Sequence, residues 1–228
     1  MARIPPLLLT ALLATTAAIP PAIAGTATYR GDIDAGANRA FFEGVADRPV
    51  TELAITSMGG SVEAAITLGR WVHGHGVDVV VVGHCLSACA NYVFPAGRRK
   101  VIRPGAVVAW HGSYRHLVET GLWRDDAAAR MARHGEDAAT ARTRARVAAE
   151  RLAALEDAFF ADIGVDGHLA WVGKMPPYEV PDYYTLPVAD MARFGVTDIE
   201  APAGHPPTDL SRVDAHITPI ELDAGPVR

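Results

Sequence analysis

The β-branched run from Val77 to Gly83 (VDVVVVG) restricts the fold more than any other segment of this chain. A nearly continuous valine run of this length is typical of a parallel strand that helices bury on both faces. Ser61 to His73, just before it, carries apolar residues at helical spacing, and Gly74 and Gly76 end that pattern. The segment therefore predicts an α/β fold.

The alternation of strands and helices continues on both sides of this run. Glu52 to Thr56 predicts a short strand before the helix, and Val107 to Trp110 predicts a strand after the run. Between them, Ala88 to Phe94 predicts another helix. This order favours a parallel sheet with right-handed crossovers, whose strands end at a common edge where such sheets build their sites.

Two later segments differ from this pattern in composition. Leu122 to Ile163 is rich in alanine, arginine and glutamate and predicts two helices divided at Gly135. These helices would form either an arm that packs against another subunit or a charged cover for their own domain. Beyond Ala201 the chain gains proline, so we predict one domain over residues 25–200 and an extension with little regular structure over 201–228.

The first 24 residues have the composition of a secretory signal peptide. An apolar stretch from Leu7 to Ala18 is followed by the small residues of an Ala22-Ile23-Ala24 cleavage pattern. We therefore expect a periplasmic or secreted protein, with an uncleaved membrane anchor as the alternative. The formal net charge is −5, and only residues 98–103 form a basic cluster, so nucleic acid is not an expected partner.

Chemically informative residues follow three of the predicted strands. SMGGSV (57–62) contains a paired-glycine turn, CLSAC (85–89) places Ser87 where a strand becomes a helix, and AWHG (109–112) contains His111. A serine becomes a nucleophile when a base takes its proton and fixed N–H donors hold the oxyanion. His111 could be that base, with donors from Ala88 and from the glycine turn. Taken alone, Ser87 could equally be a helix N-cap.

The order of these motifs resembles the Clp protease proteolytic subunit and its relatives in the ClpP/crotonase superfamily. The resemblance implies an α/β spiral of β-β-α units with a helical arm, in which Ser87 is the nucleophile and His111 the general base and acid. It also implies an oxyanion hole from the N–H groups of Gly60 and Ala88. The segment DYYTLPVADMARFGVTD resembles the part of the family that supplies the acid, which points to Asp182.

The chain departs from this family at several positions. Met58 replaces the usual proline before the two glycines, and the interval from His111 to Asp182 is longer. Other aspartates therefore remain alternatives for the acid: Asp157, Asp162 and Asp166.

Related exported peptidases use a lysine as the base, so the two lysines of this chain are also candidates. Lys100 follows the predicted helix in a basic turn, and Lys174 lies in the loop GKMPP. Neither has an obvious route to Ser87, so the sequence favours a Ser-His-Asp triad over a Ser-Lys dyad.

Cys85 and Cys89 are four residues apart on either side of Ser87. In an exported chain we expect a disulfide, which would fix the nucleophile turn more than it would stabilise the domain. The alternative is a metal site that the two cysteines form with His84 and His111, although its spacing is not that of an ordinary zinc site.

The sequence predicts an exported serine hydrolase. We expect an ATP-independent peptidase that forms an acyl-enzyme with short or unfolded peptides, assembles as a homo-oligomer, and needs no cofactor and no partner ATPase. Two alternatives remain. One is a catalytically inactive module of the same fold that serves binding or assembly, and the other is a thioester hydrolase of the crotonase type.

Overall fold

The computed structural model describes residues 25–135 and 137–225. The predicted signal peptide, residues 1–24, lies outside the described residues. Within those two ranges, no helix combines the length and the apolar character needed to cross a membrane.

Strands and helices alternate through the first half of the described chain, and helices dominate the second half. The strands are β1 (Gly25–Arg30), β2 (Val50–Ser57), β3 (Asp78–Leu86), β4 (Lys100–Ile102), β5 (Val107–Ala109), β6 (Tyr183–Thr185), β7 (Ile199–Glu200) and β8 (Ile217–Pro219). The α-helices are α1 (Ala35–Val45), α2 (Val62–Gly74), α3 (Tyr114–Thr120), α4 (Trp123–His134), α5 (Ala138–Ile163) and α6 (Val188–Ala192). A π-turn spans Cys89–Val93, and two short 3₁₀ turns span Gly167–Ala170 and Val172–Lys174.

The main sheet has the strand order β1-β2-β3-β4-β7, and β5 also pairs with β3. Every pairing in it is parallel, so the predicted α/β class is confirmed. The first half of β3 pairs with β4 through Val79–Val81, and its end pairs with β5 through His84–Leu86. This second pairing explains why β3 extends three residues beyond the predicted end at Gly83, directly up to Ser87.

Helix α2 begins and packs as its sequence predicts. The Ser61 hydroxyl accepts a hydrogen bond from the N–H of Ala64 and so caps the first turn. Its apolar face, including Leu68 and Val72, is buried in the core. Gly69 allows a close approach to the π-turn, because a Cβ at this position would lie 2.2 Å from the carbonyl oxygen of Tyr92.

The predicted helix from Ala88 to Phe94 is instead the π-turn Cys89–Val93, in which Phe94 N–H donates to the carbonyl of Cys89 at 3.0 Å. The indole N–H of Trp110 donates to the carbonyl of Ala90 in this turn at 3.2 Å. A side chain that enters the hydrogen-bond ladder in this way disturbs regular α-helical geometry.

The alanine- and arginine-rich segment forms the two predicted helices, α4 and α5, which are divided at Gly135. Gly135 has a φ of 61° and closes α4 with a left-handed residue. Phe159 and Phe160 of α5 are buried in the core of the same domain. Helix α5 therefore covers its own chain, which is the second of the two predicted roles.

The extension after residue 200 contains more structure than its proline content predicts. Strand β8 pairs in parallel with β6 and forms a second, two-stranded sheet. Arg193 also binds the end of the extension, because its guanidinium donates to the carbonyls of Leu222, Asp223 and Gly225. These contacts hold the extension against the domain.

Candidate active site

The ends of β2, β3 and β5 lie at one edge of the parallel sheet and there form a cleft of about 410 Å³. Four residues that were predicted from three separate sequence motifs line this cleft: Gly60, Ser87, Ala88 and His111. A second cleft, of about 490 Å³, lies between residues 104–106 and the extension, and its lining contains neither Ser87 nor His111. The first cleft is therefore the candidate site.

Ser87 occupies a strained turn between β3 and the π-turn. Its φ is +53°, a left-handed conformation that side-chain-bearing residues rarely adopt and that costs on the order of 1 kcal/mol. Two backbone hydrogen bonds hold it, one from Ser87 N–H to Ala109 O at 3.0 Å and one from Asn91 N–H to Ser87 O at 2.8 Å. The turn thus presents the serine to the cleft at a fixed position.

A disulfide between Cys85 and Cys89 brackets this turn, with a Cα–Cα distance of 5.2 Å. Both cysteines are fully buried, so the bridge lies beneath Ser87. Because both sulfurs are bonded to each other, they do not serve as thiolate ligands, which removes the predicted metal alternative. Within the described ranges, no group of three or more His, Cys, Asp or Glu side chains has the arrangement of a metal site.

His111 follows β5 and lies opposite Ser87. Its Nε2 is 2.6 Å from the Ser87 Oγ. The backbone on both sides is fixed, since Trp110 exchanges two hydrogen bonds with Tyr184, at 2.9 and 2.8 Å, and Gly112 N–H donates to Ala170 O at 2.9 Å. The base and the hydroxyl are therefore within hydrogen-bond distance of each other.

The surroundings of His111 favour its neutral form. Although the residue is exposed at the cleft, the protein around it partly desolvates the ring, and this lowers the pKa of His111. The positive charge of Lys174 lowers the same pKa further. A neutral imidazole can accept the serine proton, so these effects suit a general base.

The paired glycines pack directly against the nucleophile turn. A Cβ on Gly59 would lie 2.8 Å from both Leu86 O and Ser87 Cβ, so only glycine fits there. The buried Ser57 hydroxyl accepts from Gly59 N–H at 3.0 Å and fixes the turn. The two motifs thus come together in space although the whole of α2 and most of β3 separate them in sequence.

Two residues of these turns, Gly60 and Ala88, carry the backbone N–H groups predicted to hold an oxyanion. Ile33 bridges the glycine turn by donating to Gly59 O at 2.7 Å and accepting from Ser61 N–H at 2.8 Å, and neither bond uses the N–H of Gly60. Ala88 lies at the start of the π-turn, where a helix leaves its N–H groups without backbone acceptors. Both residues line the cleft beside Ser87.

Asp182 does not hydrogen-bond to His111 in the structure. Its carboxylate lies 3.5 Å from Nδ1 of His216 on the extension, and its backbone carbonyl accepts from Lys174 Nζ at 3.1 Å. The next residue, Tyr183, packs its ring against the His111 ring with a centroid distance of 4.7 Å. Among the described residues, Nδ1 of His111 has no hydrogen-bond partner.

The other aspartates considered for this role have partners elsewhere. Asp157 pairs with Arg115, and Asp162 lies 3.4 Å from Arg70. Asp166 caps a 3₁₀ turn by accepting from His168 N–H at 2.9 Å. None of the three lines the cleft.

The expectation that neither lysine reaches the serine region is wrong for Lys174. The 3₁₀ turn Val172–Lys174 brings this side chain to the cleft, beside Ser87 and His111. The prediction failed because loop conformation between α5 and β6 is not encoded in a periodic pattern. Lys100 remains away from the cleft, and its Nζ donates to Thr197 O at 2.9 Å.

Glu156, which connects both halves of the site, was not among the residues predicted from the sequence. This carboxylate is 1% exposed and accepts hydrogen bonds from the Tyr92 hydroxyl and from the N–H groups of Tyr114, at 2.9 Å, and Arg115, at 2.8 Å. Tyr92 belongs to the turn after Ser87, and Tyr114 begins the helix after His111. A glutamate at a buried position of the helical pattern, four residues after Leu152, was the available signal.

No protein-family model matches the sequence, and a search of curated proteins finds no match. Among solved structures, the chain is similar to ClpP1 from Listeria monocytogenes, with 18% identity over 53% of this chain and 78% of that one, at a TM-score of 0.34. It is also similar to a mutant of the 1510-N membrane-bound stomatin-specific protease, with 12% identity over 54% of this chain and 70% of that one, at a TM-score of 0.33.

Proposed function

We propose that the chain is an exported serine hydrolase that cleaves peptides through an acyl-enzyme on Ser87. The observation that carries this proposal is the 2.6 Å contact between Ser87 Oγ and His111 Nε2 in a cleft large enough for part of a peptide. A serine in a strained turn, next to a neutral imidazole, is the arrangement that activates a hydroxyl for attack.

The proposed reaction uses groups that all line this cleft. His111 Nε2 takes the proton of Ser87 as Oγ bonds to the peptide carbonyl carbon, and the carbonyl oxygen becomes an oxyanion. The N–H groups of Gly60 and Ala88 would hold that oxyanion. His111 then gives the proton to the leaving amine, the C–N bond breaks, and an ester on Ser87 remains. Water, deprotonated by His111, hydrolyses the ester and restores the hydroxyl.

In this proposal Asp182 is the acid that orients His111. Its position beside Tyr183, which packs against the imidazole, supports the assignment. The carboxylate would exchange its contact with His216 for one with Nδ1 of His111, and this exchange is part of what must be tested. A Ser87–His111 pair is sufficient for the acyl-enzyme chemistry even without the acid, at a lower rate.

The predicted location outside the cytoplasm determines whether ATP is available to the enzyme. The disulfide beneath Ser87 is typical of oxidising compartments, where ATP is not supplied. Together with the predicted signal peptide, it supports an enzyme that acts without an ATPase on short or already unfolded peptides. The proposal also keeps the homo-oligomer that was expected from the sequence resemblance.

A second candidate function is a non-catalytic binding or assembly module. The observation that favours it is the missing acid contact at Nδ1 of His111 among the described residues. Under this alternative, light scattering would still detect oligomers, but the serine would not react.

Labelling with a fluorophosphonate probe distinguishes the two candidates. The wild-type protein should be labelled, Ser87→Ala should not, and His111→Ala should be labelled about 10²- to 10⁴-fold more slowly. Ser211→Ala removes an exposed serine far along the chain and should be labelled like wild type. Equal labelling of wild type and Ser87→Ala would reject Ser87 as the nucleophile.

The same assay tests the acid. Slower labelling of Asp182→Asn supports the triad, and a wild-type rate would leave the chemistry to Ser87 and His111 alone.

A further inference from the structure

Lys174 is a cation in the cleft that forms no direct ion pair with a carboxylate of residues 25–135 or 137–225. The residue is half-buried, and its Nζ donates to the backbone carbonyls of Pro181, at 2.7 Å, and Asp182, at 3.1 Å. An ammonium group has three N–H donors, so one donor remains. In the described part of the chain, no Asp or Glu side chain forms an ion pair with it. Burial lowers the pKa of Lys174, and the charge of the nearby Asp182 opposes this shift without cancelling it, so the ammonium group is only partly compensated.

The rest of the cleft does not compensate this charge. Its lining includes His111 and His116 but no aspartate or glutamate. The nearby Glu156 is buried behind the wall and is already bound to the donors of Tyr92 and Tyr114. The cleft therefore presents a positive group to its occupant and no negative side chain.

We propose that this cleft recognises a carboxylate of its peptide substrate, which accepts a hydrogen bond from the remaining N–H of Lys174. The inference rests on the proposed peptidase function. The carboxylate belongs either to an acidic side chain or to the C-terminus of the peptide, because both offer the same chemistry to an ammonium group.

Carboxylate binding at Lys174 also affects the base. Desolvation lowers the pKa of both His111 and His116, and the charge of Lys174 lowers both pKa values further. A bound carboxylate offsets this charge and raises the pKa of His111, which makes the imidazole a stronger base. An acidic substrate would therefore be bound and would also strengthen the group that activates Ser87.

The test measures binding, so that it does not depend on turnover. The probes are octapeptides of alternating alanine and glutamate, or of alternating alanine and glutamine, each with a neutral fluorophore at the N-terminus. Each is made as the C-terminal acid and as the amide, and binding to Ser87→Ala is followed by fluorescence anisotropy. The same titrations are run on Ser87→Ala combined with Lys174→Gln, with Lys174→Arg, or with Arg103→Gln, which removes an exposed positive charge away from the cleft.

If the carboxylate that Lys174 binds belongs to an acidic side chain, both glutamate peptides bind about tenfold more tightly than the glutamine peptides. If it belongs to the C-terminus, both peptides with a C-terminal acid bind about tenfold more tightly than the two amides. Lys174→Gln should abolish either preference, whereas Lys174→Arg and Arg103→Gln should retain it. Equal or absent binding of all four peptides, or a preference that persists in Lys174→Gln, overturns the proposal. Because Ser87 is absent throughout, the result is independent of whether the wild type reacts with fluorophosphonates.

Discussion

Ser87 Oγ and His111 Nε2 lie 2.6 Å apart although the two residues follow different strands, β3 and β5. The contact exists because the end of β3 pairs in parallel with β5, from His84–Val107 to Leu86–Ala109. Each residue comes directly or almost directly after that pairing. The geometry of the candidate site is therefore a consequence of the sheet, and four structural features around it give testable predictions.

The lowered pKa of His111 predicts how activity depends on pH. Desolvation and the charge of Lys174 both lower this pKa below its ordinary value of about 6.5. A general base must be neutral, so the rate of fluorophosphonate labelling should fall only when the pH drops through this lowered pKa. In Lys174→Gln the repelling charge is absent and the pKa rises, so the acidic limb of the rate profile should move to higher pH.

Arg103→Gln, which removes a positive charge outside the cleft, should leave the acidic limb where it is in wild type. An acidic limb in Lys174→Gln that stays in place or moves to lower pH would contradict the role given to Lys174.

The packing of Gly59 against the nucleophile turn predicts that even a methyl group disturbs the site. Gly59 has a φ of +103°, and its Cβ would approach Leu86 O and Ser87 Cβ to 2.8 Å. We expect Gly59→Ala to lower the free energy of unfolding by about 2 kcal/mol, because of strain and overpacking. It should also slow labelling on the order of 100-fold, because the clash displaces the serine.

Gly44→Ala is the matched control, since a Cβ there meets no atom within 4 Å. It should leave both the unfolding free energy from urea titration and the labelling rate close to wild type. Wild-type labelling of a folded Gly59→Ala protein would show that the turn tolerates displacement.

The buried hydrogen bonds of Glu156 predict that its substitution lowers both the stability of the fold and the labelling rate of Ser87. Glu156→Ala leaves the Tyr92 hydroxyl and the N–H groups of Tyr114 and Arg115 without their acceptor, and should cost about 3 kcal/mol of unfolding free energy. Since these donors flank Ser87 and His111, labelling of the remaining folded protein should also slow.

Glu150→Ala, on the same helix, is the control, because the exposed Glu150 pairs with the exposed Arg146 in an i,i+4 arrangement. It should change the unfolding free energy by less than about 0.5 kcal/mol in the same urea titration. Equal effects of the two substitutions would show that Glu156 does not connect the two halves of the site.

The disulfide predicts an effect on the nucleophile turn as well as on the stability of the fold. Because the Cys85–Cys89 bridge closes a loop of only a few residues, its removal in Cys85→Ala/Cys89→Ala should lower the unfolding free energy by about 2 kcal/mol. The released turn no longer holds Ser87 in its left-handed conformation, so labelling should slow about tenfold. Reduction of the wild-type protein with dithiothreitol should reproduce both effects, and unchanged labelling after reduction would contradict this role.

Most of the fold around the site was predictable from the sequence. The valine run, the helical pattern before it and the short strand after it each carry a periodic signal, and the structure confirms them as β3, α2 and β5. The Cys85–Cys89 bridge followed from spacing and expected compartment. These features depend on local pattern, and local pattern is what a sequence records best.

The features that were not predictable depend on contacts between distant segments. Lys174 reaches the cleft through an aperiodic turn, and β8 pairs with β6 only because the extension folds back over the domain. The carboxylate of Asp182 contacts His216 of that same extension instead of His111. No pattern in residues 164–225 determines these positions, because tertiary packing selects among many loop conformations.

The most direct test of the account is to find the residue that reacts with diisopropyl fluorophosphate. Trypsin cleaves after Arg70 and Arg98, and Ser87 is the only serine in the released peptide 71–98. After reduction and alkylation of the cysteines, mass spectrometry should locate a single phosphoryl adduct on Ser87, and His111→Ala should show almost none in the same time. An adduct on another residue, or an unmodified peptide 71–98 in folded wild-type protein, would contradict the claim that Ser87 is the nucleophile.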